Sequence, residues 1–291
     1  MQEADTLQRF IFENSHIRGS LIHLGASYRA VRQRYDYPDN VAAQLGQALV
    51  ASALLSATIK YRGSLILQIQ SSGPINMLVA QCTDERHIRG LARWQHPPEP
   101  GNLSQLYGEG RMVITIDNRR QEDRYQGIVG VEGESLADAI ENYFRQSEQL
   151  ETHLWLAADN DQAVGMLLQK LPGDEAADAD MWNRIETLSA TLTEQELLEL
   201  PSRDILHRLF HEDDIRLFDP EPVSFRCSCS REKITTMLKS LGNAEIQSIL
   251  DEQGKIEVGC DFCNQRYEFD EIDTKEIFVT DLQPPGSSTR H

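Results

Sequence analysis

Cys227-Ser228-Cys229 and Cys260-Asp261-Phe262-Cys263 hold four of the five cysteines of this 291-residue chain, and thirty residues separate the two pairs. Pairs spaced C-x-C and C-x-x-C each bring two sulfurs to one point with little loss of chain entropy. A short folding unit between them can close the set. The pattern predicts one tetrahedral Zn2+ per chain, held by Cys227, Cys229, Cys260 and Cys263. The same four groups are where an oxidant acts most readily, because thiolates rather than thiols are the nucleophiles. On spacing alone a structural zinc ribbon and a redox sensor both remain open. Lys255 to Gly259 and Tyr267 to Phe269 read as strands on either side of the second pair. That describes a zinc knuckle, whereas a thioredoxin-type C-x-x-C opens a helix. His207 and His211, at i and i+4, could bind a metal but have no third ligand near them in sequence.

Immediately upstream the chain changes character. Leu171-Pro172-Gly173 closes a first region, and residues 174–223 carry −10 of the formal net charge of −18. This segment reads as a linker of short amphipathic helices. Met181, Ile185, Leu188 and Leu192 recur at helical spacing. Thr193 to Glu196 is a capping box, Pro201 stops that helix, and Ser202 is placed to cap another with Ile205, Leu206, Leu209 and Phe210 on one side. Helices this short are marginal alone in water and must lie on something. A plain spacer has no need of Trp182, Leu209 and Phe210.

Residues 1–173 read as one mixed α/β body. Strand-like runs are Leu65 to Ile69, Met77 to Ala80, Met112 to Ile116, Gln126 to Val131 and Leu154 to Leu156, and helices are expected over Val41 to Ile59 and Ser135 to Gln149. The fold class is therefore α+β: a body over 1–173, a helical linker over 174–223, a small zinc-binding domain over 224–282 and a disordered tail over 283–291. The acidic balance disfavours a nucleic-acid partner. The apolar stretch from Val41 is broken by Gln44, Gln47, Ser52 and Ser56, which fits a buried helix better than a membrane span. The polar start of the chain carries no secretory pattern, so the expected location is the cytoplasm, where paired cysteines serve metals or redox switches. No P-loop or recognisable nucleophile–base spacing is present, so no enzymatic activity is expected.

Taken together, Phe225-Arg226-Cys227-Ser228-Cys229-Ser230-Arg231-Glu232, Val258-Gly259-Cys260-Asp261-Phe262-Cys263, Gly108-Glu109-Gly110, Tyr125-Gln126-Gly127-Ile128-Val129 and Tyr143-Phe144-Arg145-Gln146-Ser147-Glu148-Gln149-Leu150 resemble the bacterial 33 kDa heat shock protein family. Those are redox-regulated holdase chaperones. The resemblance runs from near residue 6 to about residue 280. It implies ATP-independent holding of unfolded client proteins during oxidative and heat stress, inactivity while reduced and zinc-bound, and activation by oxidation with zinc release and linker unfolding. It also implies a homodimer when oxidised and disulfides Cys227–Cys229 and Cys260–Cys263, although four cysteines allow three pairings. Candidate client-contacting residues are Trp182, Ile185, Leu188, Leu206, Leu209 and Phe210. Cys82 matches none of the family's four ligands and has no assigned role.

Overall fold

A computed structural model describes residues 4–118, 124–173 and 175–279. The tail expected over 283–291 lies outside the described residues. The chain divides into two compact units, Met1–Arg226 and Cys227–His291.

The first unit opens with a hairpin of β1 (Thr6–Phe12) and β2 (Ile17–Leu24), followed by α1 (Ala26–Arg32) and α2 (Asp39–Thr58). A meander of β3 (Gly63–Ser71), β4 (Ile75–Thr83) and β5 (His87–Trp94) leads through the short α3 (Leu103–Tyr107) to β6 (Gly110–Asn118) and β7 (Tyr125–Gly130). Next come α4 (Leu136–Tyr143), a π-helical turn over Phe144–Glu148, and the hairpin of β8 (Thr152–Ala158) and β9 (Ala163–Lys170). The expected strand runs fall inside β3, β4, β6, β7 and β8, with Val131 one residue past the end of β7. Ser135 caps α4 in a reciprocal box with Asp138, at the start of the expected helix.

Two sheets result. One has the order β8-β9-β2-β1 and the other β5-β4-β3-β6-β7, all antiparallel. Helix α2 packs against strands of both. It is buried on most sides, alanines and leucines filling them with Gln44 and Gln47 half-buried, and among the described residues this one helix long and apolar enough to cross a membrane is core. Gly46 makes the closest approach possible, since a Cβ there would sit 2.8 Å from the Tyr28 ring and 2.9 Å from the Ala158 methyl group.

The first sheet is covered on both faces. Leu7, Ile22, Leu24, Leu154 and Leu156 point to the α2 core, while Phe10, Phe12, Ile17, Leu21, Met166 and Leu168 belong to a second core. Seven of the eight β9 residues are buried. Such a strand reads as a continuous apolar run without alternation.

The second core is the seat of the linker. Helices α5 (Glu175–Ser189), α6 (Glu194–Glu199) and α7 (Ser202–Phe210) follow the body. Trp182, Ile185, Leu197, Ile205, Leu206, Leu209 and Phe210 bury themselves against the outer face of the first sheet. The Phe12 and Phe210 rings meet edge to face at 5.0 Å. The Phe10 ring lies over Gly19, where a Cβ would come within 2.1 Å of it. Thr193 and Glu196 form the expected capping box at α6. Ser202 does not cap α7: Pro201 occupies the N-cap position, and Ser202 is already helical.

Past Phe210 the linker stops being helical. Strands β10 (Ile215–Leu217) and β11 (Glu221–Pro222) pair antiparallel with β1, and β12 (Ser224–Phe225) runs parallel to β5. Residues 215–225 therefore line an edge of each sheet in turn.

The second unit holds α8 (Arg231–Leu241), α9 (Asn243–Gln253), the hairpin of β13 (Ile256–Gly259) and β14 (Arg266–Phe269), and α10 (Glu271–Val279). Its own small core gathers Leu238, Ile246, Leu250, Ile256, Phe269 and Ile277.

Candidate metal centre

Each cysteine pair is placed by a local turn. Ser230 caps α8, its hydroxyl accepting the Lys233 N–H at 3.3 Å, and the Lys233 ammonium donates back to the Ser228 carbonyl at 2.6 Å. The C-x-C loop is thus tied to the first turn of the helix that follows it. Cys260 and Cys263 occupy the tight turn between β13 and β14, closed by Cys260 N–H to Gln265 O at 2.9 Å and Asn264 N–H to Cys260 O at 2.8 Å. Asn264 takes φ 57°, a left-handed conformation that Asn tolerates better than most residues. Arg231 braces the unit from α8: it donates to the Glu268 carbonyl at 2.8 Å, pairs with Asp273 at 2.8 Å and lies 4.1 Å above the Phe269 ring.

These turns bring all four sulfurs within 4.8 Å of one another. Cys227 and Cys260 are 3.6 Å apart, Cys229 and Cys263 3.4 Å. Metal–thiolate bonds of ~2.3 Å in a tetrahedron require sulfur–sulfur distances of ~3.8 Å. The set therefore fits a tetrahedral thiolate ion such as Zn2+ without movement of the backbone. His207 and His211 lie with rings 6.0 Å apart on α7 and join no such cluster among the described residues.

The sulfurs differ in their surroundings. Burial pushes the Cys227 thiol up, but the Cys229 amide and the neighbouring sulfurs outweigh it and bring Cys227 down to about 7. Burial and the three other sulfurs push Cys263 up to about 12, and burial raises Cys260 as well. Burial thus opposes ionisation at Cys260 and Cys263; a bound cation offsets it by stabilising the thiolates. The Tyr267 hydroxyl donates to the Cys229 sulfur at 3.2 Å. That bond holds the phenol proton, and Tyr267 is pushed up to about 12. Neither Tyr267 nor Lys233 stands out in the sequence as a neighbour of the metal site; Tyr267 is legible only as one residue of a strand.

Cys82 is apart from all this. It sits on β4 in the body core with no solvent exposure, its thiol donating to the Thr83 carbonyl at 3.4 Å, and burial pushes it up to about 11.

The six residues singled out as client contacts share one place in the structure. Trp182, Ile185, Leu206, Leu209 and Phe210 are buried in the second core, and Leu188 is half-buried against it. At the same junction His153 on β8 stands between Glu141 at 3.4 Å and Glu186 of α5 at 3.1 Å, and stacks on Trp182 at 5.6 Å.

A two-sheet body, a layer of short helices upon it and a cluster of four cysteines able to hold a metal together define a class of protein. The family model described as Hsp33 protein matches residues 5–270. A 33 kDa chaperonin of Nitrosococcus oceani is 54% identical over 291 residues, covering all of both chains, and that of Methylobacillus flagellatus is 45% identical over 293 residues, again covering both entirely. A crystal structure of a 33 kDa chaperonin from Thermotoga maritima superposes with a TM-score of 0.82 at 24% identity, over 96% of this chain and 99% of that one. The chain belongs to the Hsp33 family of chaperones.

Proposed function

We propose that this chaperone is a holdase switched by oxidation of its four clustered cysteines. The observation that carries the reading is the pairing of a compact thiol cluster with a linker whose apolar residues form a layer of their own on the body.

In the reduced chain Cys227, Cys229, Cys260 and Cys263 hold one Zn2+, which supplies the cross-link that a unit with so small a core needs to stay folded. A peroxide takes two electrons from two thiolates per disulfide and leaves as water with two protons from solvent, and sulfurs joined to one another no longer bind as thiolates. The proposed bonds are Cys227–Cys229 and Cys260–Cys263. Proximity does not choose among the three pairings, since every sulfur is within reach of the others. Loss of the metal unfolds the module, and the linker then leaves the outer face of the first sheet. Two apolar surfaces open together: the linker side chains, Trp182, Ile185, Leu188, Leu206, Leu209 and Phe210 among them, and the sheet face of Phe10, Phe12, Ile17 and Leu21 that they covered. Unfolded clients bind there without ATP and without catalytic turnover, and the dense negative charge of residues 174–223 keeps the opened chain in solution. The oxidised chain acts as a homodimer in the cytoplasm.

The test is aggregation suppression by reduced and oxidised protein, with zinc measured on the same samples. Suppression should appear only in the oxidised, metal-free sample. Cys82→Ser should retain one zinc per chain and Cys263→Ser should lose it; the reverse outcome sinks the ligand assignment. Peptide mapping of the oxidised chain fixes the disulfide pairing, and sedimentation fixes the assembly state.

A further inference from the structure

Residues 214–226 follow the edges of both sheets although few of their side chains are buried. Positions 216–220, 222, 224 and 226 are exposed, and Val223 alone is buried. The main chain does the holding. Phe218 N–H donates to Arg9 O at 3.0 Å and Val223 N–H to Asp5 O at 2.9 Å on the β1 side; Ser224 N–H donates to Arg86 O at 3.2 Å and Arg226 N–H to Ile88 O at 3.0 Å on the β5 side. Side chains add to this: Val223 is buried, Ile215 and Phe225 pack against the two cores, Arg216 pairs with Glu13 at 3.3 Å, and the Glu221 carboxylate lies between Arg9 at 2.6 Å and Arg86 at 2.8 Å.

A strand bound by its backbone can be exchanged for another of unrelated sequence, because peptide groups are the same in every chain. Bare sheet edges are known templates for added strands. Pro220 and Pro222 keep the strap itself from offering a fresh edge outward, since proline has no N–H to give.

We propose that residues 214–226 are a built-in stand-in for client, and that the edges of β1 and β5 which they occupy bind extended segments of unfolded polypeptide once the linker is released. The inference rests on the reading that oxidation releases the linker. It adds a mode of recognition to that reading, in which backbone ladders fix the client and the apolar faces select for exposed side chains.

The probe is a fluorescent peptide of residues 214–226, added to full-length protein and followed by anisotropy. It should bind the oxidised, active chain at least about tenfold more tightly than the reduced chain, whose edges are occupied. N-methylation at the Phe218, Val223 and Ser224 amides removes three ladder donors at roughly 1 kcal/mol each and should weaken binding by about tenfold or more. Changing Leu217 and Phe218 of the peptide to Ala should alter it by less than about threefold. Unlabelled peptide should release a bound unfolded client, and the N-methylated form should not. If N-methylated and unmodified peptides bind alike, or if the oxidised chain holds clients yet ignores the peptide, the edges are not the site and the proposal falls while the holdase reading stands. If peptide binding vanishes as the oxidised chain is concentrated into dimers, the edges serve a second copy and the proposal is overturned. An oxidised chain that fails to suppress aggregation removes the reading and the proposal together.

Discussion

The two faces of the first sheet are covered in different ways. One face is covered by α2, a single helix of 20 residues whose neighbours in both sheets lie within the first 170 residues or so. The other is covered by α5, α6 and α7, of 15, 6 and 9 residues, joined by turns. Among the described residues the α2 core draws only Val223, with Phe225 packed against it, from beyond the body, whereas half of the second core comes from the linker. The difference teaches where the molecule can open. Removing the α2 layer would empty both sheets at once, while removing the linker layer leaves the α2 core almost whole.

The largest expected effect tests that division directly. After peroxide treatment at elevated temperature, amides of 181–226 and of the second unit should lose hydrogen-exchange protection together, while α2 and β3 to β6 keep theirs. The energy involved is that of structural zinc binding, on the order of 10 kcal/mol. Active protein with a fully protected linker would abolish the comparison.

A pair of cavities sharpens it. Leu49→Ala and Phe210→Ala should each cost about 3–4 kcal/mol. The α2 cavity at Leu49 should lower the unfolding midpoint of the whole first unit. The Phe210 cavity should raise exchange in α5 to α7 and lower the oxidant needed for activity, with α2 unchanged. Equal behaviour of the two variants would mean that the faces are one cooperative unit.

Thr193→Ala, which breaks the reciprocal cap of α6, should cost about 1 kcal/mol and show as faster exchange confined to the linker.

The smallest effect is a pH dependence. His153 is raised chiefly by its hydrogen bond to Glu141, against burial, with Glu186 and Glu151 adding to it. Glu141 and Glu151 stay with His153 when the linker leaves, so only the part of the rise due to Glu186 of α5 favours docking; that part is present in full at pH below the undocked value and is lost as pH rises through the docked one. Arg145 and Trp182 line the same recess. Because the ring is only half-buried, the contribution stays below about 1 kcal/mol. The linker's opening equilibrium, read from exchange after correction for the intrinsic pH dependence of amide exchange, should rise by a few-fold from pH 6 to pH 8, and His153→Gln should flatten that slope. A slope unchanged in the variant would clear His153 of the role.

Much of the body is legible from its residues because β3, β4, β6 and β8 are β-branched or aliphatic runs between turn residues, and α2 and α4 have length or a cap to mark them. β2 and β9 are not legible, because both faces are covered and the alternation that signals a strand is lost. β10 to β12 escape for the opposite reason: two or three residues with exposed side chains carry no pattern, and only the neighbouring edge gives them a conformation. The cysteine cluster can be read from spacing alone, since the ligands lie two and three residues apart. Tyr267 and His153 cannot, because the partner of each comes from another element and only the fold brings the two together.

The sealed position of Cys82 has a consequence in electron counting. A thiol with no solvent exposure, raised to about 11, stays protonated and out of reach while the body is folded. The thiol capacity of the chain is then that of the cluster alone: four sulfurs, at most two disulfides, and four electrons to an oxidant. A titration with peroxide should end at two equivalents per chain, and a thiol reductant should restore every cysteine, since no stray body thiol has been carried into a mixed bond. If oxidation is the switch proposed above, the stored signal is a whole number, written and erased at one place.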